Sequence, residues 1–112
     1  MTNNDDFRRQ LDGILERMKQ ILDAKGHDYA GKTDRFANFR LCEMAGIPTW
    51  KGIVIRLSDK MSRVLSFAGA GECKVKDESV EDTLIDLANY AILCLIAYRE
   101  TTRGTHGKIN AC

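Results

Sequence analysis

Over the first quarter of the chain the apolar positions recur every three or four residues: Phe7, Leu11, Ile14, Leu15, Met18, Ile21 and Leu22, with polar side chains between them. This spacing matches the turn of an α-helix and predicts a long amphipathic helix from Asp5 to Ala24. Lys25-Gly26 marks its end, and the glycine-bracketed stretch GHDYAGKTD reads as a loop. A shorter helical pattern follows from Asp34 to about Ala45, anchored by Phe36, Phe39 and Leu41. Pro48, the only proline, then punctuates the chain.

Beyond the proline, Trp50, Ile53, Val54, Leu57, Met61, Val64 and Leu65 form the core stripe of a second long helix, with the Thr49 hydroxyl placed to cap its first turn. The glycines of AGAGECK end it. Asp77 or Ser79 can cap a third long helix whose apolar face carries Val80, Leu84, Leu87, Ala91, Cys94, Leu95 and Tyr98. The final stretch, TTRGTHGKINAC, lacks periodicity and is expected to fray. With no strand alternation and no repeat, the expected fold is all-α: a small bundle of three long helices and one short one. It is read as a single helical domain over residues 1–100 with a flexible tail over 101–112.

The third helix has a second apolar face, Ile85, Ala88, Ile92 and Ile96, which is more than a three-helix monomer covers. A homo-oligomer, a dimer or a multiple of one, is therefore expected, with the polar stripe of that helix close to the subunit interface.

Composition narrows the function classes. The chain has 112 residues and a formal net charge of +1, with its cations interspersed among carboxylates, so a nucleic-acid partner is not expected. Cys42, Cys73, Cys94 and Cys112 show neither a CxxC nor paired zinc spacing, which suits reduced thiols in a reducing cytoplasm. No signal-peptide core precedes the first helix, and the longest apolar run, AILCLIA, is too short for a bilayer. Neither export nor a membrane partner is expected.

The polar positions carry the candidate chemistry. Asp82, Asp86 and Asn89 stand at i, i+4 and i+7, with no Lys or Arg on that helix before Arg99. On the second helix Arg56, Asp59, Lys60 and Arg63 share a stripe, and a short connection makes the two helices antiparallel neighbours. Two readings follow. The stripes can form a salt-bridged seam in which Arg56 and Arg63 neutralise the aspartates. Alternatively, Asp59, Asp82 and Asp86, with Glu78 and Glu81 in reserve, can hold Mg²⁺ while Arg56, Lys60 and Arg63 contact phosphates and Asn89 adds a carboxamide. A further cluster, KGHDYAG, sets Lys25, His27, Asp28 and Tyr29 between glycines, where the backbone can approach a ligand. His27 and His106 do not make a histidine metal site. Trp50 is most simply a core anchor, with base stacking as the other reading. No GxGxxG, P-loop or GxSxG motif is present.

Taken in order, KGHDYAG, FANF, GIVIRLSDKMSRV and VKDESVEDTLIDLANYAIL resemble the small bacteriophage and prophage proteins grouped as nucleotide modification-associated domain 1, over about Lys25 to Ala97. A more distant similarity is to the all-α nucleoside triphosphate pyrophosphohydrolases of the MazG and dimeric dUTPase type, which bind Mg²⁺ through E-x-x-E and E-x-x-D on successive helices. Here the matching positions are Arg56-x-x-Asp59 and Asp82-x-x-x-Asp86, with an arginine where a ligand stands in that family.

These resemblances imply a nucleotide-binding protein of phage type, acting as an Mg²⁺-dependent nucleotide pyrophosphohydrolase. Asp59, Asp82 and Asp86 would be its metal-holding catalytic residues, and Lys25, Asp28, Tyr29 and Asn38 its contacts to sugar or base. A non-catalytic nucleotide or nucleotide-signal binder, such as a sponge or a regulator of host defence, is the alternative. A small helical protein-interaction module with a purely structural seam is a third.

Overall fold

The computed structural model describes residues 2–29, 36–70 and 79–104. It contains α1 (Asn4–Tyr29), a 3-10 helix (Ala37–Ala45), α2 (Thr49–Ala70) and α3 (Val80–Gly104). Among the described residues there is no strand, and the fold is all-α with three long helices and one short one. The chain divides into two compact units, Met1–Arg35 and Phe36–Cys112.

In the first unit, Asn3 starts α1: its Oδ1 accepts from the Asp6 amide at 2.8 Å and its carbonyl from the Phe7 amide at 2.9 Å. Asp5 and Asp6 in the first turn complement the positive end of the helix, and Arg9 pairs with Asp6. The helix does not stop at Ala24. It runs through Gly26 to Tyr29, so the first part of the expected loop is helical. An interior glycine costs a helix about 1 kcal/mol relative to alanine, which weakens a helix without ending it. Residues 30–35, and the side chains of Lys25, His27, Asp28 and Tyr29, lie outside the described residues.

The second unit opens with the short helix, which is 3-10 and so repeats every three residues. That period puts Phe36, Phe39 and Cys42 on one side: Phe36 is buried and the other two half-buried. Leu41, expected to be an anchor, is 75% exposed, because the shorter period rotates it outward together with Met44. Gly46 ends the helix at φ 78°, a left-handed conformation in which its amide donates to the Glu43 carbonyl at 3.0 Å and the Ile47 amide to the Cys42 carbonyl at 3.1 Å.

Pro48, not Thr49, then holds the capping position of α2, its carbonyl accepting from the amides of Lys51 (3.0 Å) and Gly52 (3.2 Å). The buried Thr49 hydroxyl turns instead to the preceding helix, donating to Glu43 Oε1 at 2.5 Å and accepting from Arg40 at 3.3 Å.

α2 and α3 pack antiparallel. Trp50, at the start of α2, meets Tyr98 edge-on with ring centroids 5.2 Å apart, and the Cys94 thiol donates to the Trp50 carbonyl at 3.4 Å. Further along, Lys60 meets Asp86. The core between them gathers Ile53, Ala97 and Phe36, with Phe39, Trp50, Tyr90, Leu93 and Cys94 against it. The expected stripe of α2 splits in two: Ile53, Leu57 and Val64 are buried or half-buried, whereas Val54, Met61 and Leu65 are exposed.

Of the two expected caps for α3, Ser79 serves. Its Oγ accepts from the Asp82 amide at 3.0 Å and its carbonyl from the Thr83 amide at 3.1 Å, while Asp77 lies outside the described residues. The helix also outruns the expected boundary at residue 100 and continues to Gly104. Thr101 and Thr102 fit there because each hydroxyl donates to a carbonyl of the preceding turn, Ala97 at 3.2 Å and Arg99 at 3.0 Å. Residues 105–112 lie outside the described residues.

Candidate functional site: a polar seam between two helices

Successive turns of α2 bring Gly52, Arg56, Lys60 and Arg63 down one side of the helix. At the first of these the 3-10 helix comes closest. A Cβ added to Gly52 would stand 2.7 Å from Cys42 Sγ, so only glycine fits without displacement. The Cys42 thiol is held in place by the Phe39 carbonyl at 3.2 Å.

One turn on, the Arg56 guanidinium lies 5.8 Å from the centre of the Phe39 ring, and that ring in turn meets Tyr90 edge-on at 6.2 Å. Arg56 therefore stacks on an aromatic ring, and no ion pair between it and an aspartate is seen among the described contacts.

Lys60 Nζ lies 3.2 Å from Asp86 Oδ2, with side-chain exposures of 18% and 21%. This pair links the two helices at the centre of the seam. Half-burial matters here, since removing one member leaves the other charge poorly solvated. Arg63, a turn beyond, and Asp82, a turn before Asp86, are both exposed, and both are engaged by further contacts. Asp82 also has a local reason for its charge. It stands in the first turn of α3, three residues after the Ser79 cap, where a carboxylate is favoured by the helix dipole. Asn89 is 4% exposed and held by contacts of its own.

The seam brings together Lys60 and Asp86, but it does not gather Asp59, Asp82 and Asp86. Among the described residues no three His, Cys, Asp or Glu side chains are placed to hold a metal ion. The reason is helical phase. Adjacent residues of an α-helix differ by about 100° in direction, and it is Lys60 that meets Asp86, so Asp59 is turned out to solvent. Lys25, Asp28, Tyr29 and Asn38 lie outside the residues whose side chains are described. Trp50 is packed against Tyr98 as an anchor of the interhelical contact.

Arg40 was not visible as a key residue in the sequence. It donates to Glu43 and Thr49, each at 3.3 Å, and to Glu100 at 3.2 Å, lying 5.7 Å from the Phe36 ring centre. One guanidinium thereby ties the 3-10 helix to the start of α2 and the end of α3. Its spacing to Glu43 is a local signal; the partner sixty residues away leaves none. Cys42 and Cys94 are free thiols, and burial raises the pKa of Cys94 above the ordinary thiol value, which keeps it protonated and unreactive near neutrality. Cys73 and Cys112 lie outside the described residues.

Comparison with known proteins bears on this seam. Residues 49–98 match the family described as nucleotide modification associated domain 1. This is the family that the ordered sequence blocks resemble. The matched segment contains every seam residue from Arg56 to Asn89, while KGHDYAG and FANF lie before it. Neither a curated protein nor a solved structure matches the chain. Among the described residues no helix is long and apolar enough to cross a membrane.

Proposed function

We propose that the seam of the domain 1 segment binds the phosphate of a nucleotide, with Lys60 and Arg63 as its contacts and Arg56 at its edge. The observation that carries this reading is the Lys60–Asp86 pair, half-buried between two helices inside the segment that matches a nucleotide-associated family. Asp86 holds the ammonium in position while the seam is empty. An incoming phosphate competes with that carboxylate and is met by an already placed cation, which lowers the ordering cost of binding. The guanidinium of Arg63, one turn on, can add two parallel hydrogen bonds to phosphate oxygens.

Binding without hydrolysis is preferred over the pyrophosphohydrolase reading. Metal-assisted hydrolysis calls for converging oxygen ligands, and the carboxylates of one chain, Asp59, Asp82 and Asp86, do not converge. Among the described residues these carboxylates do not form a group placed to hold a resident Mg²⁺.

The test is incubation of the full chain with nucleoside mono-, di- and triphosphates, with and without Mg²⁺, scoring both retained ligand and products. Unchanged nucleotide should be retained. Lys60→Met and Arg63→Ala should each weaken retention by about 10-fold or more, the loss expected for a hydrogen bond to a charged group. Asp86→Asn separates the readings, because removing the competitor leaves phosphate binding equal or tighter, whereas a metal carboxylate would take Mg²⁺-dependent binding with it. Mg²⁺-dependent products lost in Asp86→Asn would favour the hydrolase. Neither retention nor products would overturn both.

A further inference from the structure

The opposite side of the α2–α3 hairpin has a different character. Val54, Met61 and Leu65 on α2, and Leu84, Ala91 and Leu95 on α3, stand at the same offsets of i, i+7 and i+11, and all six are exposed. In an antiparallel pair these phases fall on one flank, away from Lys60 and Asp86. α3 carries no charged residue from Leu87 to Tyr98, a run of more than three turns, and within its own unit α2 and the 3-10 helix cover one side of it. A helix apolar around its whole circumference belongs in an interior.

We infer that this flank is the docking surface for a second copy of the chain, joined through an antiparallel two-fold contact of α3 with its counterpart. The sequence of α3 is self-complementary for that arrangement. With the two-fold axis near Ala91, a small residue, the helices approach closely at the centre. Leu84 of one copy then meets Leu95 and Ile96 of the other, and Ala88 meets Ile92.

The charges at the two ends agree. Glu81 and Arg99 are both exposed, eighteen residues apart, and so stand at the same helical phase, five full turns from each other. The two-fold axis sets Glu81 of each copy against Arg99 of the other, giving two opposite-charge contacts at the rim of an uncharged centre. This arrangement also alters an expectation from the sequence. The polar stripe faces away from the α3–α3 contact, so each seam belongs to one chain. The inference does not depend on the nucleotide reading.

The test is sedimentation equilibrium of the full chain at low salt over a range of micromolar concentrations, with helix content followed by circular dichroism. The wild type should sediment at twice 12.6 kDa. Glu81→Arg and Arg99→Glu should each raise the dissociation constant by about 10-fold, because two attractive contacts become repulsive, and the double exchange should return it to within about 3-fold of wild type. Ala91→Arg should give a monomer of unchanged helix content. A wild-type monomer at these concentrations overturns the proposal. So does a dimer indifferent to Ala91→Arg, or one in which the double exchange fails to rescue the single ones.

Discussion

Gly52 shows how much one missing side chain can decide. The 3-10 helix can lie against α2 only because nothing occupies the Cβ position facing Cys42 Sγ, 2.7 Å away. Gly52→Ala improves intrinsic helix propensity yet should destabilise the protein by about 1–3 kcal/mol through overpacking, since the thiol is fixed by the Phe39 carbonyl. Cys42→Ala in the same chain removes the obstructing sulfur and should recover most of that loss, as measured by the midpoint of denaturant unfolding. A Gly52→Ala protein as stable as wild type would show that the 3-10 helix has room to move. The sequence marks Gly52 as a helical glycine and no more. Its role depends on Cys42, ten residues earlier, being folded back onto it.

Among the elements, α3 is the one whose start and composition are best explained locally. Ser79 accepts from the Asp82 amide, and Glu81 and Asp82 place negative charge at the positive end of the helix. Ser79→Ala should cost about 1 kcal/mol, the usual value of such a cap, seen as a lower unfolding midpoint without loss of native helix content. Ser79→Asp should be close to neutral. These features were legible because a cap and its first turn are neighbours in sequence. The 3-10 helix was legible in position but not in type. Phe36, Phe39 and Cys42 share a face at period three, whereas α-periodicity had drawn Leu41 into the anchors. The choice between the two periods is made by what packs against the segment, here Ile53, Ala97 and the bare backbone at Gly52. The end of α1 at Tyr29 and that of α3 at Gly104 were misplaced for a related reason: glycine and threonine lower helix propensity by amounts that a continuing helix tolerates.

At the scale of the α2–α3 unit, one hairpin carries a polar seam on one flank and an apolar surface on the other. Binding and assembly should therefore be separable. The Glu81→Arg and Arg99→Glu chains, even as monomers, should retain nucleotide with the affinity of wild type, and Lys60→Met should sediment like wild type; coupled losses in both assays would mean that the two flanks act as one site. The sequence by itself determined that the chain is helical, where its long helices lie, that Asp82, Asp86 and Asn89 share a stripe, and which family the segment 49–98 matches. All of these follow from periodicity and order, which are properties of neighbouring residues. Tertiary structure alone decided that Lys60 meets Asp86, that Arg56 stacks on Phe39, and that Arg40 joins three elements through Glu100. Such pairings depend on the relative rotation and register of two helices. One residue of difference turns a side chain by about 100°, enough to send Asp59 into solvent and bring Lys60 to the seam.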